Sequence, residues 1–258
     1  MNVEKRIAAI LSHPDDVEFM CAGTLSLFRN QGWEVHIVTM TPGCKGSVAH
    51  SREEIGRIRT EEARKSAEII KATYHCVGLE DVYIFYDREA INKTTAVIRK
   101  IKPSIVITAS PIDYMVDHEM TAKIVQTACF SCGIKNMEVE APSFEPSPYL
   151  YYVDAMEGKD KFGNPIKPSI YVDITSEISI KEEMLKTHAS QREWLFEHHK
   201  VDEYVISMKD FAAERGKEVG VKYAEGFRQH LGHGFQQENV LAEILKENVI
   251  LINNRENF

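Results

Sequence analysis

The chain has 258 residues, 43% of them hydrophobic and 27% charged, which suits one large α/β domain or one with a small appendage. Its formal net charge is −8 and no Lys/Arg cluster appears, so nucleic acid is excluded as a partner while a small anionic substrate is not. No run approaches the roughly 18 to 20 apolar residues of a membrane span, the N-terminus lacks a signal-peptide pattern, and five cysteines form no disulfide framework. The expected setting is cytoplasmic.

Arg6 to Ser12 (RIAAILS) is a short continuous apolar run, as in a buried parallel strand. Val17 to Gln31 has helical spacing and ends at Gly32. Glu34 to Met40 reads as a second strand, followed by a Gly- and Pro-containing loop over Thr41 to His50. Glu53 to Lys71 is a helix with Ile55, Ile58, Ala63, Ala67 and Ile70 on one side. Tyr74 to Leu79 is a third strand. A helix over Glu89 to Ile101 stops before Pro103. Ser104 to Ala109 (SIVITA) is a fourth strand, and His118 to Phe130 its helix.

Strand and helix thus alternate from residue 6 to about 130, the pattern of a Rossmann-like, mostly parallel sheet with helices on both faces. Ala141 to Tyr149 is Pro-rich and reads as a connector. Beyond it come strands over Tyr149 to Ala155 and Ile170 to Thr175, a helix from Ser176 to about Trp194, and a last helix near Glu203 to Glu218. The expectation is one α/β domain over 1–258. Its core spans about 6–135, and a C-terminal strand–helix extension, about 140–258, packs on it.

Chemistry concentrates at two strand ends. The first strand runs into Ser12-His13-Pro14-Asp15-Asp16, and the fourth into Ser110-Pro-Ile-Asp-Tyr-Met-Val-Asp117-His118. In doubly wound sheets, ligands bind beyond the carboxyl ends of the strands. An imidazole and two carboxylates within four residues suit a borderline divalent ion such as zinc, and Pro14 fixes the turn that presents them. The same residue types also serve as helix caps: Asp15 or Asp16 for the first helix, Asp117 for the later one. Spacing alone leaves both readings open. The first strand-to-helix turn has no G-x-G-x-x-G, and its aspartates would repel a pyrophosphate, so a dinucleotide site is set aside.

The segment IAAILSHPDDVEFMCAG over residues 7–23 resembles the opening of the PIG-L/LmbE-like deacetylases, which include de-N-acetylases of N-acetylglucosaminyl-phosphatidylinositol and of the mycothiol and bacillithiol pathways. Arg59-Thr-Glu-Glu62-Ala63 is similar to that family's R-x-x-E-A helix. Asp117-His118 falls where the family ends its H-P-D-H motif, and His188-Ala-Ser-Gln191 is similar to a recurring H-x-S-Q segment. The likeness covers residues 6 to 130 well and the rest in patches. It implies a zinc site, open to other divalent ions, of His13, Asp16 and His118. It also implies Asp15 as general base and removal of an acetyl group from an N-acetylglucosamine-type amino sugar by metal-activated water. Arg59, Asp87, Tyr114 and His188 are candidate substrate contacts. Relatives often assemble, so a homo-oligomer is compatible with the resemblance.

The sequence departs from the pattern at Met115, where H-P-D-H has its first His; Met can neither donate a hydrogen bond nor carry charge. That leaves the oxyanion donor unassigned among Tyr114, His188, His50 and Lys186. It also keeps two alternatives open: a weakened or non-enzymatic binding protein with the family fold, or an amide hydrolase for another N-acyl substrate. Other features have bland readings beside functional ones. Gly43 and Gly46 are a lid or a turn. Trp194 with Tyr149, Tyr151 and Tyr152 is a sugar platform or ordinary packing. His230 and His233 are a metal pair or a surface loop, and Cys129-x-x-Cys132 is a coincidence.

Overall fold

The computed structural model describes residues 4–47, 49–192 and 204–252. The first half alternates as expected: β1 (Arg6–Leu11), α1 (Asp16–Met20), α2 (Ala22–Asn30), β2 (Glu34–Thr39), α3 (Arg52–Ile69), β3 (Thr73–Cys76), α4 (Arg88–Ile101), β4 (Ile105–Thr108) and α5 (Val116–Ser131). Then follow β5 (Tyr149–Val153), β6 (Ile170–Asp173), α6 (Ile178–Lys186), α7 (Tyr204–Val219), β7 (Ala224–Gln229), α8 (Val240–Leu245) and β8 (Val249–Leu251).

These strands form one sheet in the order β3-β2-β1-β4-β5-β7-β6-β8. From β3 to β5 the neighbours are parallel; β7, β6 and β8 pair antiparallel. The chain builds outward from β1 to β3, then returns to place β4 on the other side of β1. That reversal opens a crevice beyond the carboxyl ends of β1 and β4, where doubly wound folds bind ligands.

Period-two alternation splits the core between the faces. Ile7, Ala9 and Leu11 of β1 pack with Leu25, Phe28 and Ile174. Ala8 and Ile10 pack on the other face with Ile98, Ile124 and Val125. The tyrosines of β5 join the same division: Tyr149 and Tyr151 go to one cluster and Tyr152 to the other. All three are buried, so the packing reading holds for them; Trp194 lies outside the described residues.

Helix ends follow local chemistry. Ser51 Oγ accepts from Glu54 N at 3.2 Å to start α3, and Asp87 Oδ1 accepts from Ala90 N at 2.8 Å to start α4. The expected Val17–Gln31 helix is two, broken at Cys21 (φ −147°, ψ 12°). The break lets the new N-terminus of α2 meet an acid: Glu225 on β7 accepts from the backbone N–H of Gly23 (2.9 Å) and Thr24 (2.8 Å). Gly23 has no room for a side chain, since a Cβ there would lie 2.8 Å from Ile174. The helix expected from Ser176 to Trp194 is interrupted at Thr187-His188.

Candidate active site

The turn after β1 is organised by Asp16. Its Oδ2 accepts from the backbone N–H groups of Ser12 (3.1 Å) and His13 (2.8 Å), fixing the carboxylate at the sheet edge. Asp15, one residue earlier, adopts φ 110° and ψ −25°, a left-handed conformation rare for a non-glycine residue. Such strain persists only where the surroundings over-determine it. From the other side of the crevice, the first turn of α5 supplies Asp117 and His118.

The structure brings His13, Asp16 and His118 together: one donor atom from each lies within 4.8 Å of the others. His13 Nδ1 is 3.4 Å from Asp16 Oδ2, and His118 Nε2 is 3.5 Å from Asp16 Oδ1. The far nitrogen of each ring is held by another carboxylate. His118 Nδ1 lies 3.0 Å from Asp113 Oδ1, and His13 Nε2 lies 3.2 Å from Asp117 Oδ2. A carboxylate acceptor holds the hydrogen on those nitrogens, so when the rings are neutral the lone pairs fall to His118 Nε2 and His13 Nδ1, facing Asp16. Asp117, readable as a helix cap, is thus an imidazole anchor, itself steadied by the backbone N–H of Val82 at 2.7 Å.

Two imidazoles and one carboxylate so placed suit a divalent metal ion. The charges agree with that fit. Burial works against protonating His13, yet Asp117 and Asp16 outweigh it and push its pKa up to about 9. Burial likewise opposes His118, but Asp16 and Asp113 push it up to about 10. A pocket that draws protons onto two buried imidazoles is short of positive charge, and a divalent cation would answer the same demand. Asp16 is held far below the usual carboxylate range: burial opposes this, but His118 and His13 prevail.

Asp15 differs from its neighbour. Burial, then the charge of Asp16, pushes its pKa up to about 6, although His188, Tyr204 and Arg59 pull the other way. Its Oδ2 accepts the phenol hydrogen of Tyr204, which reaches it from the start of α7. Nothing local in the sequence signals that contact, because the partner lies on the far side of the chain.

A cleft of about 360 Å³ opens over these groups, with Arg59, Asp81, Tyr114, Met115 and Gln191 also in its wall. Arg59 is buried and its Nη2 donates to Gly46 O at 2.7 Å, while its Nε has no partner among the described residues. Gly43 and Gly46 mould the loop to it: a Cβ at Gly46 would stand 2.6 Å from Nη2. Gln191 Oε1 and Asp81 Oδ1 are likewise buried without a partner among the described residues. Tyr114 stands at the lip, its ring edge-on to His118 at 5.7 Å.

The other candidates fall elsewhere. His188 is buried behind the turn, 3.3 Å from Glu18, whose other contact is Ser66 Oγ at 2.6 Å. Asp87 caps α4 and borders a separate outer groove of about 1140 Å³; the carboxylate that its loop gives to the cleft is Asp81. His50 and Lys186 pair with Glu54 (3.2 Å) and Glu182 (2.7 Å). His230 Nδ1 meets Tyr152 Oη at 2.8 Å, and the Cys129–Cys132 thiols are buried apart from the site.

Residues 8–129 match the family model described as GlcNAc-PI de-N-acetylase, PIG-L. Over those residues the chain is similar to that family. The chain is 28% identical over 240 residues to a diacetylchitobiose deacetylase of Thermococcus kodakarensis, covering 88% of this chain and 84% of the relative. It is 24% identical to a 4-oxalmesaconate hydratase of Pseudomonas putida, covering 88% and 90%. In fold it is similar to a 4-carboxy-2-hydroxymuconate hydratase of Pseudomonas putida, with a TM-score of 0.75 at 21% identity over 91% of this chain and 99% of that one. No described helix is long and apolar enough to cross a membrane.

Proposed function

We propose that the protein is a metal-dependent N-deacetylase acting on an N-acetylglucosamine-type amino sugar or conjugate. The observation that carries this is the division of labour between adjacent carboxylates. Asp16 faces two imidazoles within one ligand cluster, while Asp15 stands outside it with a pKa near neutrality, about 6. The diacetylchitobiose deacetylase relative supports the choice of an acetylated amino sugar.

His13, Asp16 and His118 would hold a divalent ion such as zinc, which would supply Lewis acidity and lower the pKa of a water toward neutrality. Asp113 and Asp117 keep the two imidazoles in the tautomers that such an ion needs. Asp15 removes the proton of the attacking water and returns it to the departing amine nitrogen as acetate is expelled. A carboxyl with a pKa near the working pH serves both directions. Arg59, Asp81 and Gln191 offer buried polar atoms, without partners among the described residues, to sugar hydroxyls. Tyr114 takes over the oxyanion side, where Met115 has no donor.

A second reading comes from the hydratase relative: addition of water to a carbon–carbon double bond of a carboxylate substrate, with Arg59, whose Nε has no partner among the described residues, receiving the carboxylate. One experiment separates them. The protein is stripped with a chelator, reloaded with zinc, and assayed for acetate release from N,N′-diacetylchitobiose and for hydration of unsaturated dicarboxylates by loss of ultraviolet absorbance. Zinc-dependent acetate release supports the deacetylase. Hydration without acetate release replaces it.

A further inference from the structure

Adjacent aspartates in one turn raise the question of what keeps Asp15 from joining Asp16 in the ligand cluster. Asp16 is fixed by two backbone N–H groups. Asp15 has a different restraint. Its Oδ2 accepts the hydroxyl hydrogen of Tyr204, 189 positions later in the chain. Tyr204 is set firmly. Its ring lies 6.0 Å from that of Phe19, which in turn lies 6.3 Å from Phe211 on the same helix as Tyr204.

That helix, α7, is anchored along its length. Arg215 Nε meets Asp154 Oδ2 at 2.5 Å, and Lys209 Nζ meets Glu182 at 2.9 Å. At Gly216 the backbone of the following turn comes so close that a Cβ would lie 2.7 Å from Val221 O. A stiff helix therefore delivers the phenol to a residue whose left-handed backbone needs holding. A phenol suits the task because it is a directional donor that stays neutral. An Arg or Lys in its place would pair with Asp15 as an ion and suppress its basicity.

We propose that Tyr204 is the positioning residue of this site. Its hydroxyl occupies one oxygen of Asp15, keeps that carboxylate from becoming a fourth protein ligand, and leaves the other oxygen free to exchange a proton. The inference rests on the deacetylase reading for its kinetic consequence, but not for the contact or for its effect on metal affinity. It also gives the C-terminal extension a role in the site, since the tether hangs from α7, outside the stretch that matches the family model.

The test uses the full chain as Tyr204→Phe, Asp15→Asn and the double variant, with Tyr204→Leu as a packing control. Tyr204→Phe keeps the ring against Phe19 and removes only the donor. Zinc affinity, read by chelator competition, rises in Tyr204→Phe because Asp15 is released toward the ion, and Asp15→Asn abolishes the rise. Melting temperatures of the metal-free proteins show the two substitutions coupled instead of additive. With N,N′-diacetylchitobiose, Tyr204→Phe lowers kcat about 10- to 100-fold, a share of what a general base contributes. KM stays within about twofold, and the substitution costs nothing further in the Asp15→Asn background.

Additive effects of the two substitutions, or a Tyr204→Phe phenotype confined to the melting loss of Tyr204→Leu, overturn the proposal. So does a rise in KM at unchanged kcat. A wild-type protein that releases no acetate overturns the deacetylase reading alone. The zinc-affinity and melting cycles then still decide whether Tyr204 restrains Asp15.

Discussion

His118 Nδ1 lies 3.0 Å from Asp113 Oδ1, so in the neutral ring the nitrogen that faces Asp16 carries the lone pair. Asp113 is well placed to hold this geometry. It also accepts from the backbone N–H of Met115 at 3.2 Å and of Met156 at 2.9 Å. Loss of an outer carboxylate typically costs about 10- to 100-fold in metal affinity. Asp113→Asn is expected to weaken zinc binding by that order in a chelator competition while the protein stays folded by circular dichroism. Unchanged affinity would show that the imidazole needs no anchor.

Asp15→Asn separates holding the ion from moving the proton. The variant is expected to bind zinc with wild-type stoichiometry and to lose turnover by about 10²- to 10⁴-fold, the range of a general base. Acetate release measured beside metal content checks it. Near wild-type turnover would remove Asp15 from the mechanism.

Glu225 ties three elements together in the interior. It accepts from Gly23 N, Thr24 N and Thr24 Oγ1 (2.6 Å), and meets Lys181 Nζ at 2.5 Å. Both charged side chains are almost fully buried. Breaking such a pair from one side leaves a buried charge and costs about 3–5 kcal/mol. Glu225→Ala strands both the ammonium and the α2 N-terminus and is expected to cost that much in urea unfolding. Lys181→Met leaves Glu225 with its three other donors and is expected to cost less. Equal losses would contradict this ordering.

The fold was legible where its signals are local, and so was part of the site. The run RIAAILS and the helix after His50 carry their periodicity within a few residues. The segments carrying His13, Asp16 and His118 follow buried strands, but only the resemblance to the PIG-L/LmbE-like deacetylases picks these three out of them; the structure gathers them into one cluster. The break at Cys21 was not legible, since Cys is neutral to both helices; it exists because Glu225 meets the α2 N-terminus. Strand β7, reading Ala-Glu-Gly-Phe-Arg-Gln, lacks an alternating apolar pattern and becomes a strand through pairing with β5 and β6. Asp87, a candidate substrate contact only through the family resemblance, uses its side chain to start α4. Tyr204 had no motif to announce it.

A pair of histidines gives a pH signature away from the site. His36 Nε2 lies 3.1 Å from Glu34 Oε1, and His36 Nδ1 lies 3.0 Å from His75 Nε2. The carboxylate takes a hydrogen from Nε2, so His36 Nδ1 accepts and His75 donates. Both pKa values lie below the ordinary 6.5. Burial lowers His36 despite Glu34; burial and the neighbouring His36 lower His75. Folded-state values below the unfolded ones mean that the unfolded chain binds more protons on acidification. This contribution is therefore complete above about pH 6.5 and is lost as pH falls through the folded values. Melting temperatures at pH 7.5 and pH 5.5 are expected to fall further in wild type than in His75→Gln. Parallel falls would contradict it.

The most direct test is a crystal structure of zinc-soaked protein with anomalous scattering at the zinc edge. The account predicts one ion bonded at once to His13 Nδ1, Asp16 and His118 Nε2, at about 2.0–2.2 Å from each, with Asp15 beside the ion and not bound to it. An ion bound elsewhere, or one coordinated by Asp15 in place of either imidazole, would contradict it.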